Sequence, residues 1–372
     1  MNAKELIAKL TGKKVSEPVI GVDITNESII IALLKKSKSG LELEKIVSAP
    51  TPQNAIRDGE IIDTSSIAQT IQELVEKNQI TATKAITTVS GQAVIIRTIQ
   101  FPSMSPKELK EVILHESERY IPFPIEDVNI DFQTLEEVED EGITKVEVLL
   151  VAAQKQFINS YVETFLIAGI KLVGIDIASF AVARALCSSD VESLGIEAPV
   201  VLVLIRGETT DINVFDNGIP KFSRSIPIGS TTFIETIASN LNVSLEESMQ
   251  LFDKVVIPIA GQNISDDPIV EMASNEIRTT LRELTTEIQR SLEYYQSQGS
   301  SRIQQLILSG RGAKMKNLDK HLSMNLGIDV ELSNPISNIQ FDEEKYSAEY
   351  LMENAPVFVT SIGLAKRGVE EF

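Results

Sequence analysis

The chain has 372 residues, 43% of them hydrophobic, a formal net charge of −19 and one cysteine, Cys187. The length calls for two or more domains, the charge repels nucleic acid where no basic stripe offsets it, and a lone cysteine excludes an internal disulfide and fits a reducing compartment. Apolar runs such as Val200–Ile205 fall far short of the ~20 residues a membrane span needs, and no signal-peptide pattern stands at the N-terminus, so a cytoplasmic protein is expected.

The opening MNAKELIAKLTGKK sets Leu6, Ile7 and Leu10 against four lysines. It is read as a frayed, solvated arm, with contact to an anionic membrane as the alternative. Pro18 to Leu34, PVIGVDITNESIIIALL, is a buried apolar strand, a short polar turn and a second β-branched strand. Thr64–Lys77 carries Ile67, Ile71, Leu74 and Val75 at helical spacing. Val94–Ile99 is β-rich. Ser105 and Glu108 then form a capping box with Pro106 at the first helical position. Leu109, Val112, Ile113 and Tyr120 line that helix, and Pro122 with Pro124 stops it. Strands are predicted near Asn129–Val138 and Thr144–Ala153 around the acidic tip EEVEDEG, which is read as a solvated hairpin end. A helix follows from Lys155 to Ala168, with Gly169 as its stop. Strand, helix, strand, strand, helix reads as a small α+β module inserted into a larger domain.

The segment from Pro199, PVVLVLIRGETTDINVF, repeats the first strand–turn–strand. Aligned on their prolines, Asp23 faces Leu204, Thr25 faces Arg206 and Ser28 faces Thr209. SIPIGSTTFIETIASNL passes from strand to helix, and Ser244 with Glu247 forms another capping box. Pro268–Gln298 predicts one long helix, its stripe made by Ile277, Leu281, Leu284, Ile288, Leu292 and Tyr295, ended by Gly299. The strand IQQLILSG then runs into Ser309-Gly310-Arg311-Gly312-Ala313 and a further helix. Glycines at such a turn admit close backbone approach to a ligand. His115 and His321 lie far apart with no cysteine cluster, and no serine sits in a nucleophile elbow, so neither a metal centre nor a catalytic residue is assigned.

The duplicated hairpins and the glycine turn together resemble the actin-like ATPase superfamily, α/β proteins of two ribonuclease H-like halves. Within it the chain is similar to the type IV pilus assembly PilM family, relatives of the cell-division protein FtsA. SGQAVIIRTIQFPSMSPKELKEVILHESERYIPF, FSRSIPIGSTTFIETIA, EIQRSLEYYQSQ and LILSGRGAKMKNLDKHL carry the likeness most strongly. It implies an arm at 1–17, a first domain at 18–83 returning at 170–198, and an inserted α+β subdomain at 84–169. A second domain follows at 199–345, with a closing helix at 346–372 packed on the first domain.

The resemblance also implies an ATP and magnesium cleft between the halves. Asp23 matches the aspartate of the first phosphate loop, with Thr25 where a glycine is usual and Ile30 where a lysine often stands. In the second loop Leu204 replaces the magnesium-organising aspartate and Arg206 the companion glycine, while Gly207, Thr209, Thr210 and Asp211 keep the GxTTD character. Gly310 and Gly312 keep the adenosine turn, with Arg311 between them. Leucine offers magnesium no oxygen ligand. The two arginines either grip phosphate or fill the cleft and pair with Glu208. The favoured expectation is a scaffold with an inert cleft; the alternatives are an ATP-driven switch or weak ATPase, and an FtsA-like division factor. The partners implied are the N-terminal peptide of a PilN-like inner-membrane protein, pilus motor ATPases and further copies of the chain. The setting is the cytoplasmic face of the inner membrane. Arg119, Tyr120, Pro122 and Phe123 are assigned to the peptide groove, with Tyr120 and Phe123 as subdomain core the competing expectation.

Overall fold

The computed structural model describes residues 17–38, 40–91, 94–140, 142–186, 199–259, 265–299 and 302–371. The N-terminal amphipathic stretch and Cys187 lie outside them. The first apolar run forms β1 (Val19–Ile24), buried at all six positions, which explains why it reads as continuous hydrophobics rather than as an alternation. It pairs antiparallel with β2 (Ser28–Ser37), and β2 with β3 (Gly40–Pro50). A two-residue-strand hairpin, β4 (Ile56–Arg57) and β5 (Glu60–Ile61), leads to α1 (Thr64–Lys77), capped by Asp63. β6 (Lys84–Val89) then pairs parallel to β1.

The inserted module has its own sheet and core. β7 (Val94–Pro102), α2 (Pro106–Glu116), β8 (Val128–Asp140) and β9 (Ile143–Gln154) form it, with strand order β7-β9-β8. Ile99, Phe101, Leu109, Ile113, Val148 and Leu150 are buried together there. The capping box of Ser105 and Glu108 is present. The module is narrower than the expected 84–169. β6 belongs to the first sheet, and α3 (Lys155–Ile167) packs Phe157, Tyr161 and Phe165 into the same core as Ile67 and Ile71 of α1. The apolar stripe of α3 faces the large domain, so helix order alone misassigned it.

β10 (Lys171–Ile177) completes the first sheet and α4 (Ala178–Leu186) follows. The second sheet contains β11 (Val200–Ile205), β12 (Thr210–Asp216), β13 (Ile219–Ile226), β14 (Gln305–Ser309) and β15 (Asp329–Leu332), in the order β13-β12-β11-β14-β15. The first sheet runs β10-β6-β1-β2-β3 followed by β16 (Ile339–Phe341). Read from the third strand of each half, the two orders are identical, so the duplication seen in two hairpins extends to whole sheets. β16 joins the first sheet beside β3, so the chain returns to the first half before residue 345.

Between β13 and β14 lie α5 (Ser230–Leu241), α6 (Leu245–Phe252), α7 (Pro268–Glu276) and α8 (Arg278–Ser297). The single helix expected over 268–298 is two. Ile277, at ψ −5°, leaves the helical path between them while staying buried in the second core. α8 keeps the predicted stripe, Leu281, Leu284, Ile288, Leu292 and Tyr295, in that core. α9 (Leu318–Leu326) follows the glycine turn.

The closing helix α10 (Ala348–Glu371) lies on the first sheet and against α4, and its Val359 meets Leu202 and Leu204 of β11 in a shared core. Two glycines set its distance. A Cβ at Gly21 would strike the Ser361 carbonyl and the Ala365 amide, and one at Gly363 would strike the Ala181 carbonyl. The obstacles are backbone, which has nowhere to go in a close-packed interior. Gly21→Ala and Gly363→Ala should each lower stability by about 1–3 kcal/mol in a denaturant titration, with unchanged stability contradicting this packing.

Candidate functional site

The C-terminal ends of β1 and β11 point at one another, and the two duplicated turns meet there. Asp23 is buried at the end of β1. Arg206 begins the second turn and crosses to it: Nη2 donates to Asp23 Oδ1 at 2.9 Å and to the Ile24 carbonyl at 3.2 Å. The guanidinium is nearly sealed, with the side chain 10% exposed. Burial pulls its pKa down, but Asp23, Asp211 and Tyr161 outweigh this and hold it above the usual arginine value. Its Nη1 has no hydrogen-bond partner among the described residues.

The rest of the first turn follows the same path across. Asn26 donates to Thr231 Oγ1 at 3.0 Å, and its side chain occupies the space a Cβ on Gly207 would need. Glu27 Oε1 accepts from Ser230 Oγ at 2.6 Å and faces Arg311 Nη1 at 3.5 Å. Arg311 Nη2 also reaches both Asp253 oxygens, at 3.0 and 3.2 Å, over the Phe252 ring. Glu208 accepts from the Gly59 amide at 3.0 Å. Both arginines therefore fill the cleft as the sequence allowed, but their partners are Asp23, Glu27 and Asp253, and Glu208 is engaged elsewhere.

The remaining sequence-assigned residues are occupied within the protein. Thr25 Oγ1 accepts from the Ser28 and Glu27 amides and donates to the Ser28 carbonyl, closing its own turn. Arg206 N–H donates to the Thr209 carbonyl, and Thr210 Oγ1 to the Ile228 carbonyl. At the start of α5, the amides of Ser230 and Thr231 donate to the Arg206 and Gly207 carbonyls at 2.8 Å. A helix N-terminus is a ready anion site only while such donors are free. Gly310, at φ +84°, and Gly312 are small because Ile205 lies against both, and the Gly310 amide donates to Pro356 of α10. Leu204 sits in the core that joins the halves, with Ala178, Val182 and Val359.

This arrangement does not fit a magnesium nucleotide. The one matching carboxylate, Asp23, is held by an arginine, and leucine stands at the second position. Sequence reasoning missed Asn26, Glu27, Ser230 and Asp253, which are ordinary turn and cap residues until the two turns are brought together. The groove residues lie apart from the cleft. Arg119 pairs with Glu116, the last residue of α2, Tyr120 is exposed, and Phe123 packs partly against the module's core.

Removing one partner of a buried ion pair strands the other charge. Arg206→Met should cost about 3–5 kcal/mol, and Asp23→Leu combined with it should recover most of that loss in a denaturant cycle. Additive losses would contradict a direct tie. Glu27 gives a pH signature. Burial raises its pKa, against the opposing pull of Arg311 and Ser230. A carboxyl held more tightly protonated in the folded state contributes stability that falls as pH rises from its unfolded pKa through the raised folded one. Glu27→Gln should flatten that part of the stability–pH curve, and an unaltered curve would show that Glu27 does not contribute.

A family model described as type IV pilus assembly protein PilM matches residues 21–369. The cell division protein FtsA of Bacillus subtilis (strain 168) is 23% identical over 403 aligned positions, covering 98% of this chain and 83% of that protein. A solved PilM–PilN type IV pilus biogenesis complex superposes with a TM-score of 0.83 at 28% identity, covering 96% of this chain and 99% of that one. MreB5 of Spiroplasma citri bound to AMPPNP is similar in fold alone, with a TM-score of 0.52 at 11% identity over 94% of this chain and 95% of that one. The fold is actin-like.

Proposed function

The chain belongs to the type IV pilus assembly protein PilM family, and from that premise we propose that it is a binding scaffold of pilus assembly whose nucleotide cleft is closed by its own side chains. In this role it holds the N-terminal peptide of a PilN-like inner-membrane protein at the cytoplasmic face of the membrane. It links that protein to the pilus motor ATPases, alone or as an assembly of copies. The observation that carries the reading is the buried Asp23–Arg206 pair, which engages the carboxylate at the first phosphate-loop position in a cross-cleft tie. The solved complex of a PilM with a PilN, 28% identical to this chain, supports the partner. The peptide groove is assigned to the edge of the inserted module near Arg119, Tyr120, Pro122 and Phe123, where exposed Tyr120 offers an aromatic anchor.

A second reading, an ATP-binding switch, draws on one observation. The Nη1 of Arg206, without a hydrogen-bond partner among the described residues, is a buried donor that an oxyanion would satisfy. Melting in the presence of ATP and magnesium separates the two. A ligand at a hundred times its dissociation constant raises stability by about 2.7 kcal/mol, so a switch shifts the melt and the closed scaffold does not. Titration with a synthetic PilN-type N-terminal peptide should give saturable heat, weakened roughly tenfold by Tyr120→Ala. Failure of the peptide to bind would remove the scaffold reading.

A further inference from the structure

β12 is buried on both faces, yet one face is polar. Ile212 and Val214 point into the second core, while Asp211 and Asn213 point the other way, paired across to Ser225 and Ser223 of β13. They look into a cavity of about 300 Å³. Its other walls are Ile177 and Ser179, where β10 passes into α4, and the start of β7 at Val94, Ile95 and Ile96. Asp211, Asn213 and Ser179 are 8, 1 and 3% exposed. Among the described residues, Asn213 Nδ2 and Ser179 Oγ are buried without a hydrogen-bond partner, while Ser225 Oγ meets only the Asp211 carboxyl, and all three belong to this cavity. Buried polar atoms left so are rare, and two around one space beside a buried carboxyl indicate that something polar belongs there.

The charges define its character. Asp211 is the buried formal charge of the wall. Its neighbour Arg206 is spent on Asp23. Arg224 turns its guanidinium to Glu287 and Ser291, and Arg97, exposed at the mouth, folds back on the Ile96 carbonyl. Burial pushes the Asp211 carboxyl up, with a hydrogen bond from Ser225 and the charge of Arg206 opposing. An anion would meet this carboxylate head on.

We propose that the cavity binds a small molecule carrying a primary ammonium beside a hydrogen-bond acceptor. An ammonium has three hydrogens to place and no acceptor, and Asp211, Ser179 and Ser225 present three oxygens for them. The acceptor takes the amide hydrogens of Asn213, and the carbon skeleton lies on Ile177, Ile95 and Ile96. None of these residues bonds to Asp23 or Arg206 in the cross-cleft tie, but Asp211 acts on the Arg206 charge, so Ser225→Ala is the variant that separates the cavity from the tie.

Glycinamide is the probe, with acetamide and inorganic phosphate as comparisons, titrated calorimetrically into the full chain and checked by melting. Glycinamide should bind saturably and raise the melting temperature, with acetamide at least about tenfold weaker and phosphate silent. Asp211→Asn should weaken glycinamide by tenfold or more, and Ser225→Ala, which removes one oxygen, should weaken it several-fold and serves if Asp211→Asn does not fold. No saturable binding of glycinamide, phosphate binding in its place, or affinity unchanged in the variant that folds would each overturn the proposal.

Discussion

A buried arginine is tolerable only beside a buried carboxylate, and in this protein the two come from opposite halves of a duplicated chain. Arg206 and Asp23 hold each other at the point where the two sheets end. Around them each turn fastens onto the other: Asn26 on Gly207 and Thr231, Glu27 on Ser230 and Arg311. A second attachment runs outside the cleft, where Lys221 of β13 bonds to Glu136 and Glu147 of the inserted module. The geometry of the halves thus rests on protein groups at both places. Breaking the central pair would leave a charge in a medium that cannot solvate it, which is why it constrains everything near it.

Three side chains carry the proposed closure of the cleft. Leu204, where the resemblance places a magnesium-organising aspartate, lies in the apolar core between α4, α10 and β11. Arg206 and Arg311, where the resemblance places glycines, each meet a carboxylate. Gly310 and Gly312 remain for a packing reason, since Ile205 leaves no room for a side chain. A glycine at such a turn is therefore weak evidence for a ligand.

Much of the fold was legible in the chain. The two strand–turn–strand words, the capping boxes at Ser105 and Ser244, and the helix of Thr64–Lys77 all formed with the expected partners or bounds. The misreadings share a cause, which is that local pattern carries no information on which sheet an element joins. β6 and α3 looked like parts of the inserted module because they flank it, yet their apolar faces complete the first core. The break at Ile277 was hidden because the residue is as buried as the helical stripe around it. Of the site, Leu204, Arg206 and Arg311 were legible as departures, but their partners were not. Glu27 and Asp253 are unremarkable in sequence and meet Arg311 only through the fold. The polar face of Asp211 and Asn213 left a trace in the alternation of TDINVF, masked by its likeness to a phosphate-loop ending.

The most direct test of a cleft tied by its own residues is the distance between the halves. With Cys187 replaced, spin labels at Lys77 on α1 and Met324 on α9, both exposed, report that distance by double electron–electron resonance. The account predicts one narrow distribution, unchanged by ATP and magnesium. A broad or two-peaked distribution that narrows on adding nucleotide would contradict it and make the cleft a working hinge.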